Sequence, residues 1–194
     1  MTELLGAKAV QAWLRLDDFP RRLVATIDNL GRDHAPSSLW PVFAAEGHLS
    51  IVTYQGRTVI DPDNQLRYVH FVQWVEQIDS VNLVAMYVRL LPVLQRAYED
   101  IGFPNRRFDE RLLSVIDGLL GAPNAPEFVD VKFTQVKGPV PSLRPWLRYE
   151  FADARLEAAN AGQKLMMRIG APNEARLKAK LRELRGEIVR QAIQ

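Results

Sequence analysis

The stretch that decides the fold is residues 80–120, which read SVNLVAMYVRLLPVLQRAYEDIGFPNRRFDERLLSVIDGLL. From Ser80 to Ile101, apolar residues recur at steps of three and four on two adjoining faces. The remaining polar stripe consists of Asn82, Arg89, Arg96 and Glu99. A helix that is apolar over most of its circumference is normally buried. The pattern therefore predicts a buried central helix, a turn at FPNRRF and a second, amphipathic helix.

Local signals predict where the helices of this hairpin begin and bend. Ser80 is expected to cap the first helix and Asp109 the second, because both residue types bind free backbone N–H groups at a helix start. Pro92 has no N–H to donate and clashes with the carbonyl of Val88. We therefore expect a kink or a break in the first helix at Pro92.

The sequence before residue 80 predicts two further helices and a β-hairpin. Residues 4–16 form a short amphipathic helix, and Asp17 or Asp18 caps a second helix, which Gly31 ends in a left-handed conformation. Residues 47–60, GHLSIVTYQGRTVI, hold two β-like runs around Gln55-Gly56-Arg57, the pattern of a small hairpin. Asp61 then starts a helix that continues to residue 78.

The sequence after residue 120 predicts an irregular segment followed by two helices. Glycines and prolines make residues 121–148 irregular, with one short strand at 128–133 beside the hairpin. Asp153 caps a helix to Ile169, and the following Gly-Ala-Pro breaks it. The last helix carries a 4-3-4 seam typical of a coiled coil, which can serve an oligomer. The seam consists of Leu177, Leu181, Leu184 and Ile188.

These elements predict a single, mainly α domain over residues 1–194. About seven helices surround the 80–120 hairpin, with a β-hairpin at about 47–60 and the irregular segment at about 121–148. A chain of 194 residues suits one domain and is long enough to bury a core without metal or disulfide.

Composition excludes several function classes. The absence of cysteine rules out thiol nucleophiles, zinc–thiolate sites and disulfides. The 25 basic and 23 acidic residues nearly cancel, so the chain as a whole has no strong field for a polyanion. The N-terminus does not have the pattern of a secretory signal, and no run approaches the roughly 18 apolar residues of a spanning helix. The chain as given is therefore expected to be soluble.

Motifs for catalysis or metal binding are missing from the sequence. His34, His48 and His70 have no metal-ligand spacing. No glycine pattern forms a phosphate loop, and no serine stands in a nucleophile elbow. We therefore predict no catalytic residue, no metal ligand and no cofactor.

One pair of acids leaves two interpretations open. Glu150 and Asp153, flanked by aromatic residues, can form a clamp with Arg106 or Arg107 that fixes one element against another. In a cleft, the same two carboxylates can act as general acid and base in a hydrolase of envelope polymers. We prefer the structural clamp, because acids near helix ends most often serve as caps and ion-pair partners.

The last helix is rich in basic residues, which leaves a further alternative. Its basic side chains are Arg176, Lys178, Lys180, Arg182, Arg185 and Arg190. They can form a surface for weak binding of nucleic acid or anionic lipid. Glu174, Glu183 and Glu187 interrupt the stripe and no aromatic residue is present, so a solvated face with ordinary helix pairs such as Glu174–Lys178 is the preferred interpretation.

Three segments carry a resemblance to a known family: RRLVATIDNL, AYEDIGFPNRRFDERLLSVIDGLL and YEFADARLEAANAGQKLMMRIG. From about Leu4 to Arg185 the chain resembles an uncharacterised bacterial family known as a domain of unknown function. The resemblance implies an N-terminal membrane anchor and a linker before this domain, and hence a periplasmic location. This chain lacks the anchor, so it is either a soluble portion of such a protein or a cytoplasmic variant.

The resemblance implies no activity, cofactor or catalytic residue, but it does point to a groove. The polar positions typical of the family correspond here to Arg22, Asp28, Asn29, Arg107, Tyr149, Glu150, Asp153 and Gln163. The leading hypothesis is a non-catalytic interaction or scaffold domain of the bacterial envelope, which binds a protein or an envelope component at these residues.

Overall fold

The computed structural model describes residues 2–134 and 149–192, and this part of the chain is mainly helical, as predicted. The α-helices are α1 Thr2–Leu5, α2 Ala7–Trp13, α3 Phe19–Leu30, α4 Val69–Gln77, α5 Ser80–Asp100, α6 Phe108–Leu120, α7 Ala154–Glu157, α8 Ala161–Arg168 and α9 Ala171–Ala192. Two 3₁₀ helices span Ser37–Leu39 and Pro62–Tyr68. The strands are β1 Ile51–Tyr54, β2 Arg57–Ile60, β3 Val131–Phe133 and β4 Tyr149–Phe151.

The four strands form two small antiparallel sheets. The predicted hairpin is confirmed: β1 pairs with β2, and Gln55 and Gly56 form the turn with φ of 49° and 76°, as a two-residue hairpin turn requires. The strand expected at 128–133 is β3, which lies beside the hairpin through a bridge between Val59 and Asp130. Its ladder partner is β4, which the sequence did not predict. Residues 135–148 of the predicted irregular segment lie outside the described residues.

The helical core forms where α3, α5, α6 and α9 meet. Val24, Leu94, Tyr98 and Phe108 are buried between α3, α5 and α6, because apolar residues at steps of three and four face each other there. A separate cluster around Phe151 packs β2, β3 and β4 against α8. The molecule therefore has a helical part and a smaller part in which strands and helix meet.

The apolar seam of α9 is used within the chain. Leu181, Leu184 and Ile188 pack against residues of α5 and α6, and Leu177 packs against α8. This contact explains the 4-3-4 spacing without a second chain. An oligomer through α9 remains a prediction, and it would have to use another face of the helix.

Helix α5 is not buried all round, in contrast to the sequence prediction. Val81, Val88 and Val93 are 53%, 44% and 53% exposed. Val84, Leu94 and Tyr98 on the opposite side are fully buried against the neighbouring helices. Apolar periodicity was right about the buried side, but it did not reveal that the other side has no covering element among the described residues.

Helix α5 also runs through Pro92 without a break. Pro92 is exposed, so the missing backbone donor lies on the side of the helix that faces solvent.

Two other predicted helices are divided. The first is split at Gly6, which has a φ of 80°. The helix expected from Asp153 to Ile169 is split by Asn160, whose side chain forms a capping box with Gln163.

Three predicted helix ends are wrong in detail. Asp79 rather than Ser80 caps α5, since its carboxylate accepts a hydrogen bond from the Asn82 N–H at 2.8 Å. Helix α6 begins after Arg107 instead of Asp109, and Gln95 of α5 accepts the free N–H of Phe108 at 2.8 Å. At the start of α6, a tertiary contact therefore satisfies a free backbone N–H group that a local cap was expected to bind.

Gly31 is the third of these helix ends. Its φ is −83°, so it does not end α3 in the left-handed region. A side chain at this position would meet the guanidinium of Arg111, since a Cβ would lie 2.8 Å from Nη2. The close approach of α6 accounts for glycine at this position.

Candidate functional site

A partly open cavity of about 380 Å³ lies between the helices of the molecule. Every side chain that lines it is apolar or aromatic. Helices α3, α5, α6 and α9 supply most of the wall, and residues of α1 and α4, with Leu14 after α2, contribute to it. The volume lies in the range of small-molecule sites, which is about 300–1,000 Å³. We refer to this space as the cavity.

Each wall helix lines the cavity through the apolar periodicity that predicted it. On α3 the lining residues are Phe19, Leu23, Ile27 and Leu30, which follow each other at steps of four, four and three. On α6, Leu112, Val115 and Leu119 do the same at steps of three and four. The helix faces that were expected to pack directly against each other therefore enclose a space.

An empty cavity of this size is costly. Unfilled space between apolar side chains costs stability, because the side chains that line it lose contacts that they would make in a packed core. A whole domain is stable by only about 5–15 kcal/mol. Water is a poor occupant, because the lining side chains are apolar or aromatic and a buried water needs two to four polar partners. An apolar ligand therefore suits this space better than water does, and better than leaving the space empty.

One polar atom in the cavity wall has no partner. The hydroxyl of Tyr87 is buried without a hydrogen bond among the described residues. Burial raises the pKa of Tyr87 above the ordinary value, and the nearby Asp109 carboxylate raises it further. The hydroxyl therefore stays protonated and can donate a hydrogen bond.

A surface pocket of about 440 Å³ lies next to the cavity, between the start of α3 and the middle of α5. The pocket and the cavity share four lining residues, Phe19, Met86, Leu90 and Leu94. Leu90 is 37% exposed to solvent although it also lines the cavity. These side chains therefore form a thin wall between the cavity and solvent. We call this pocket the mouth.

Arg89 is the charged residue that lines the mouth. It is exposed, and it forms no ion pair within residues 2–134 and 149–192. Positions three and four residues away on α5 hold Ala85, Met86, Pro92 and Val93, so no carboxylate of its own helix can neutralise it. The mouth therefore combines an apolar surface with one uncompensated positive charge.

Of the predicted groove residues, Asp28 has the most important contacts. It is 5% exposed, and its carboxylate accepts hydrogen bonds from Arg111 Nε at 2.9 Å and from Arg32 Nε at 2.7 Å. Arg111 Nη2 also donates to the Asp28 carbonyl at 2.6 Å. The chain thus contains an arginine–carboxylate clamp between two elements, here α3 and α6. Sequence reasoning missed Arg111, which had no distinguishing local signal.

Three other predicted groove residues make structural contacts on the helical side. Arg22 donates to the Ser38 carbonyl at 2.7 Å and pairs with Asp17. Asn29 donates to the Ala25 carbonyl at 2.8 Å, one turn back in α3. Gln163 donates to the Gly118 carbonyl at 3.0 Å and so joins α8 to α6. Helices α3, α6 and α8 pack against each other, so Asp28 and Gln163 lie on neighbouring elements.

The remaining predicted residues lie elsewhere. Arg107 is exposed and pairs with Asp109 and Glu110 of its own helix, not with Glu150 or Asp153. Tyr149 and Glu150 lie on β4, opposite Phe133 and Lys132. The predicted clamp between the 80–120 hairpin and the Asp153 helix is therefore wrong: no ion pair among the described residues joins Arg106 or Arg107 to either acid, and Arg107 and Asp153 form ion pairs closer in sequence. Arg107 and Asp153 line two different pockets, and the other six residues are spread over α3, β4 and α8.

Asp153 does line a surface cleft of about 610 Å³, together with Asp130 and Arg57. Its carboxylate caps α7 by accepting from the Arg155 N–H at 2.8 Å. Asp130 accepts from Arg57 at 2.8 Å, and its second oxygen is buried without a hydrogen bond among the described residues. A second acid thus shares a cleft with Asp153, but it is Asp130 and not Glu150.

The predicted Glu174–Lys178 pair of α9 forms, but the solvated face expected from the sequence is wrong for Lys178 and Lys180, which are buried. Lys178 is 6% exposed, pairs with the buried Glu174 at 2.6 Å and donates to the Ala122 carbonyl. Lys180 is also buried. The other pairs are Arg176 with Glu76, Lys180 with Glu183, Arg185 with Asp117 and Arg190 with Glu187. Because most basic side chains of α9 form ion pairs within the chain, they offer little free positive charge for binding nucleic acid or anionic lipid.

No group of three His, Cys, Asp or Glu side chains is placed to hold a metal ion in the described part of the chain. Within the same part, no helix is both long and apolar enough to cross a membrane. The site that the geometry does build is the cavity with its mouth. The sequence contained one signal for it, which is Arg89 on an apolar helix with no acid in reach.

Comparison with models of known families matches residues 19–185 to DUF3014, described as a protein of unknown function. The chain belongs to DUF3014. The match begins at α3 and includes α5, α6 and most of α9, so the DUF3014 span contains most of the cavity wall. Leu5 and Leu14, which lie before the span, add to one part of the wall. No curated protein and no solved structure matches the chain.

Proposed function

We propose that this DUF3014 domain is a non-catalytic binding domain of the bacterial envelope, and that its cavity takes up a hydrocarbon chain. The observation that carries the proposal is the cavity of about 380 Å³ with an entirely apolar and aromatic lining. Such a lining offers no group for chemistry on a ligand, whereas it favours burial of apolar surface at about 25 cal/mol per Å². Of the two ligand classes expected from the sequence, a protein or an envelope component, the cavity favours the envelope component.

The periplasmic location and the membrane anchor belong to the same proposal. They are supported by the resemblance between this chain and a bacterial family whose members carry an anchor before the domain. A domain held near a membrane has hydrocarbon chains close by. The anchor itself would precede the elements described here, at the side of the molecule where α1 begins.

A second candidate is a protein-binding role for the exposed side of α5. It is supported by Val81, Val88 and Val93, which are exposed along one helix. Exposed apolar patches often mark interaction sites. The hydrolase alternative is supported only by the cleft of Asp130 and Asp153, and both acids there have structural partners. We therefore rank both alternatives below the hydrocarbon site.

The test is a pair of matched substitutions, Val115→Phe and Val72→Phe. Both valines are buried, but Val115 lines the cavity and Val72 lines none of the described pockets. We expect Val115→Phe to raise the melting temperature, because the added ring fills empty space. Val72→Phe should lower the free energy of unfolding by about 1–3 kcal/mol, the usual cost of overpacking a core.

Ligand binding is measured with the neutral fluorescent probe N-phenyl-1-naphthylamine and its displacement by tetradecanol. Wild type and Val72→Phe should bind both, as long as Val72→Phe remains folded, and Val115→Phe should bind them at least fivefold more weakly. The proposal is wrong if the wild type binds neither compound. It is also wrong if Val115→Phe destabilises the fold as much as Val72→Phe and leaves binding unchanged.

A further inference from the structure

We propose that the ligand is a single-chain anion, whose alkyl chain fills the cavity and whose head group pairs with Arg89 at the mouth. This inference rests on the proposed function and adds the ligand class and the residue that recognises its charged end. It follows from three features of the mouth: its position against the cavity, the state of Arg89 and the volume available.

The mouth is the place where a ligand can have one end in the cavity and the other end in solvent. Phe19, Met86, Leu90 and Leu94 line the cavity on one side and the mouth on the other. Leu90 and Met86 are unbranched at Cβ, and methionine adapts readily to a change of shape. A chain that passes between these side chains places its end beside Arg89 and Val93.

Arg89 is suited to an anionic head group because its guanidinium forms no ion pair with the described residues. Other arginines near the cavity already form ion pairs: Arg111 with Asp28, Arg107 with Asp109 and Arg185 with Asp117. Arg89 has no such partner in the described part of the chain and stands next to apolar side chains. A guanidinium offers two parallel N–H donors, which match the oxygens of a carboxylate or a phosphate.

The volume limits the ligand to one chain of moderate length. The cavity of about 380 Å³ is near the lower end of the range of small-molecule sites, which is about 300–1,000 Å³. A lipid with two long chains exceeds that volume. A fatty acid and a single-chain alkyl phosphate share the required chemistry, an anionic head on one alkyl chain.

The experiment compares three ligands that have the same chain and different heads: tetradecanol, tetradecanoate and tetradecyl phosphate. Each displaces N-phenyl-1-naphthylamine from the purified chain at pH 8, below its critical micelle concentration and at low salt. The wild type should bind the two anions roughly threefold to tenfold more tightly than the alcohol, the range expected for a partly exposed charged hydrogen bond. The order of the two anions identifies the head group.

The decisive variants are Arg89→Gln and, as the matched control, Arg96→Gln. Arg96 is exposed on the same helix and also lacks an ion pair among the described residues, but it does not line the mouth. Arg89→Gln should remove the preference for anions, so that the two anions and the alcohol bind this variant with similar affinity. Arg96→Gln should keep the preference, and the advantage of the anions should shrink as salt rises.

The two proposals fail in different ways. If the alcohol binds as tightly as both anions to the wild type, the anionic head group is wrong and the hydrocarbon site stands. The same holds if Arg89→Gln and Arg96→Gln behave alike. If no ligand displaces the probe and the probe itself does not bind, the proposed function is wrong and this inference falls with it.

Discussion

At the scale of single residues, Asp28 has the clearest structural role. One buried carboxylate holds Arg32 on its own helix and Arg111 on α6, and its backbone carbonyl receives a third hydrogen bond from Arg111. Charged groups this deeply buried are tolerated when their hydrogen-bonding capacity is filled, which is the case here. Asp28 and Arg111 therefore fix the angle between α3 and α6, two of the walls of the cavity.

Replacing Asp28 should be costly. We expect Asp28→Ala to lower the free energy of unfolding by about 2–3 kcal/mol, because Arg111 is left partly buried without its carboxylate. The measurement is chemical denaturation followed by circular dichroism. Asp117→Ala is the control, since it removes an exposed pair with Arg185 and should cost much less. Equal losses for both variants would contradict this account of Asp28.

At the scale of elements, α8 comes closer to its neighbours than a side chain would allow. A Cβ on Gly162 would lie 2.6 Å from a Leu119 side-chain carbon of α6 and 3.0 Å from the Leu30 carbonyl of α3. The contact to a backbone carbonyl cannot be relieved by rotating a side chain. Gly162 therefore lets three helices converge, and the capping box of Asn160 and Gln163 starts α8 at the required place.

Alanine at two glycines separates helix propensity from packing. Gly162→Ala should lower the free energy of unfolding by about 1–3 kcal/mol, because α8 must move away from α3 and α6. Gly186→Ala in α9 should raise it by about 0.5–1 kcal/mol, since a Cβ there meets nothing within 4 Å and alanine favours the helix. Thermal and urea unfolding measure both. A stabilising Gly162→Ala would show that the helices do not approach this closely.

At the scale of the whole molecule, pairs between arginine and carboxylate make stability depend on pH. Hydrogen bonds from Arg22, Arg176, Arg107 and Arg185 lower the pKa of Asp17, Glu76, Asp109 and Asp117, respectively. In the unfolded chain these carboxyls bind protons near pH 4. The unfolded state therefore gains protons first as pH falls, and the stabilisation by these pairs is present above about pH 4 and is lost below it.

The dependence of the melting temperature on pH below about 4.5 tests whether these pairs stabilise the fold. We expect the melting temperature to fall steadily below about pH 4.5, and to fall less steeply in the double variant Glu76→Gln, Asp117→Asn, which lacks two of the lowered carboxyl groups. Differential scanning calorimetry at a series of pH values measures both curves. Parallel curves for wild type and variant would show that these two pairs do not contribute.

The sequence by itself determined most of the secondary structure. Local patterns carry that information: steps of three and four along α5, α6 and α9, and a turn at Gln55-Gly56 for the hairpin. Such patterns depend on residues close together in the chain. They also identified one side of α5 as buried, because periodicity reports which side chains share a face.

Only the tertiary structure decided what those faces meet. Apolar periodicity is the same whether a face packs tightly, lines the cavity or lies exposed, as on α3, α6 and α5. The charges of α9 looked solvated because their neighbours in sequence are polar, yet Lys178 is buried by residues more than fifty positions away. The candidate site could not be predicted for the same reason, since a cavity and its mouth exist only once distant helices are placed together.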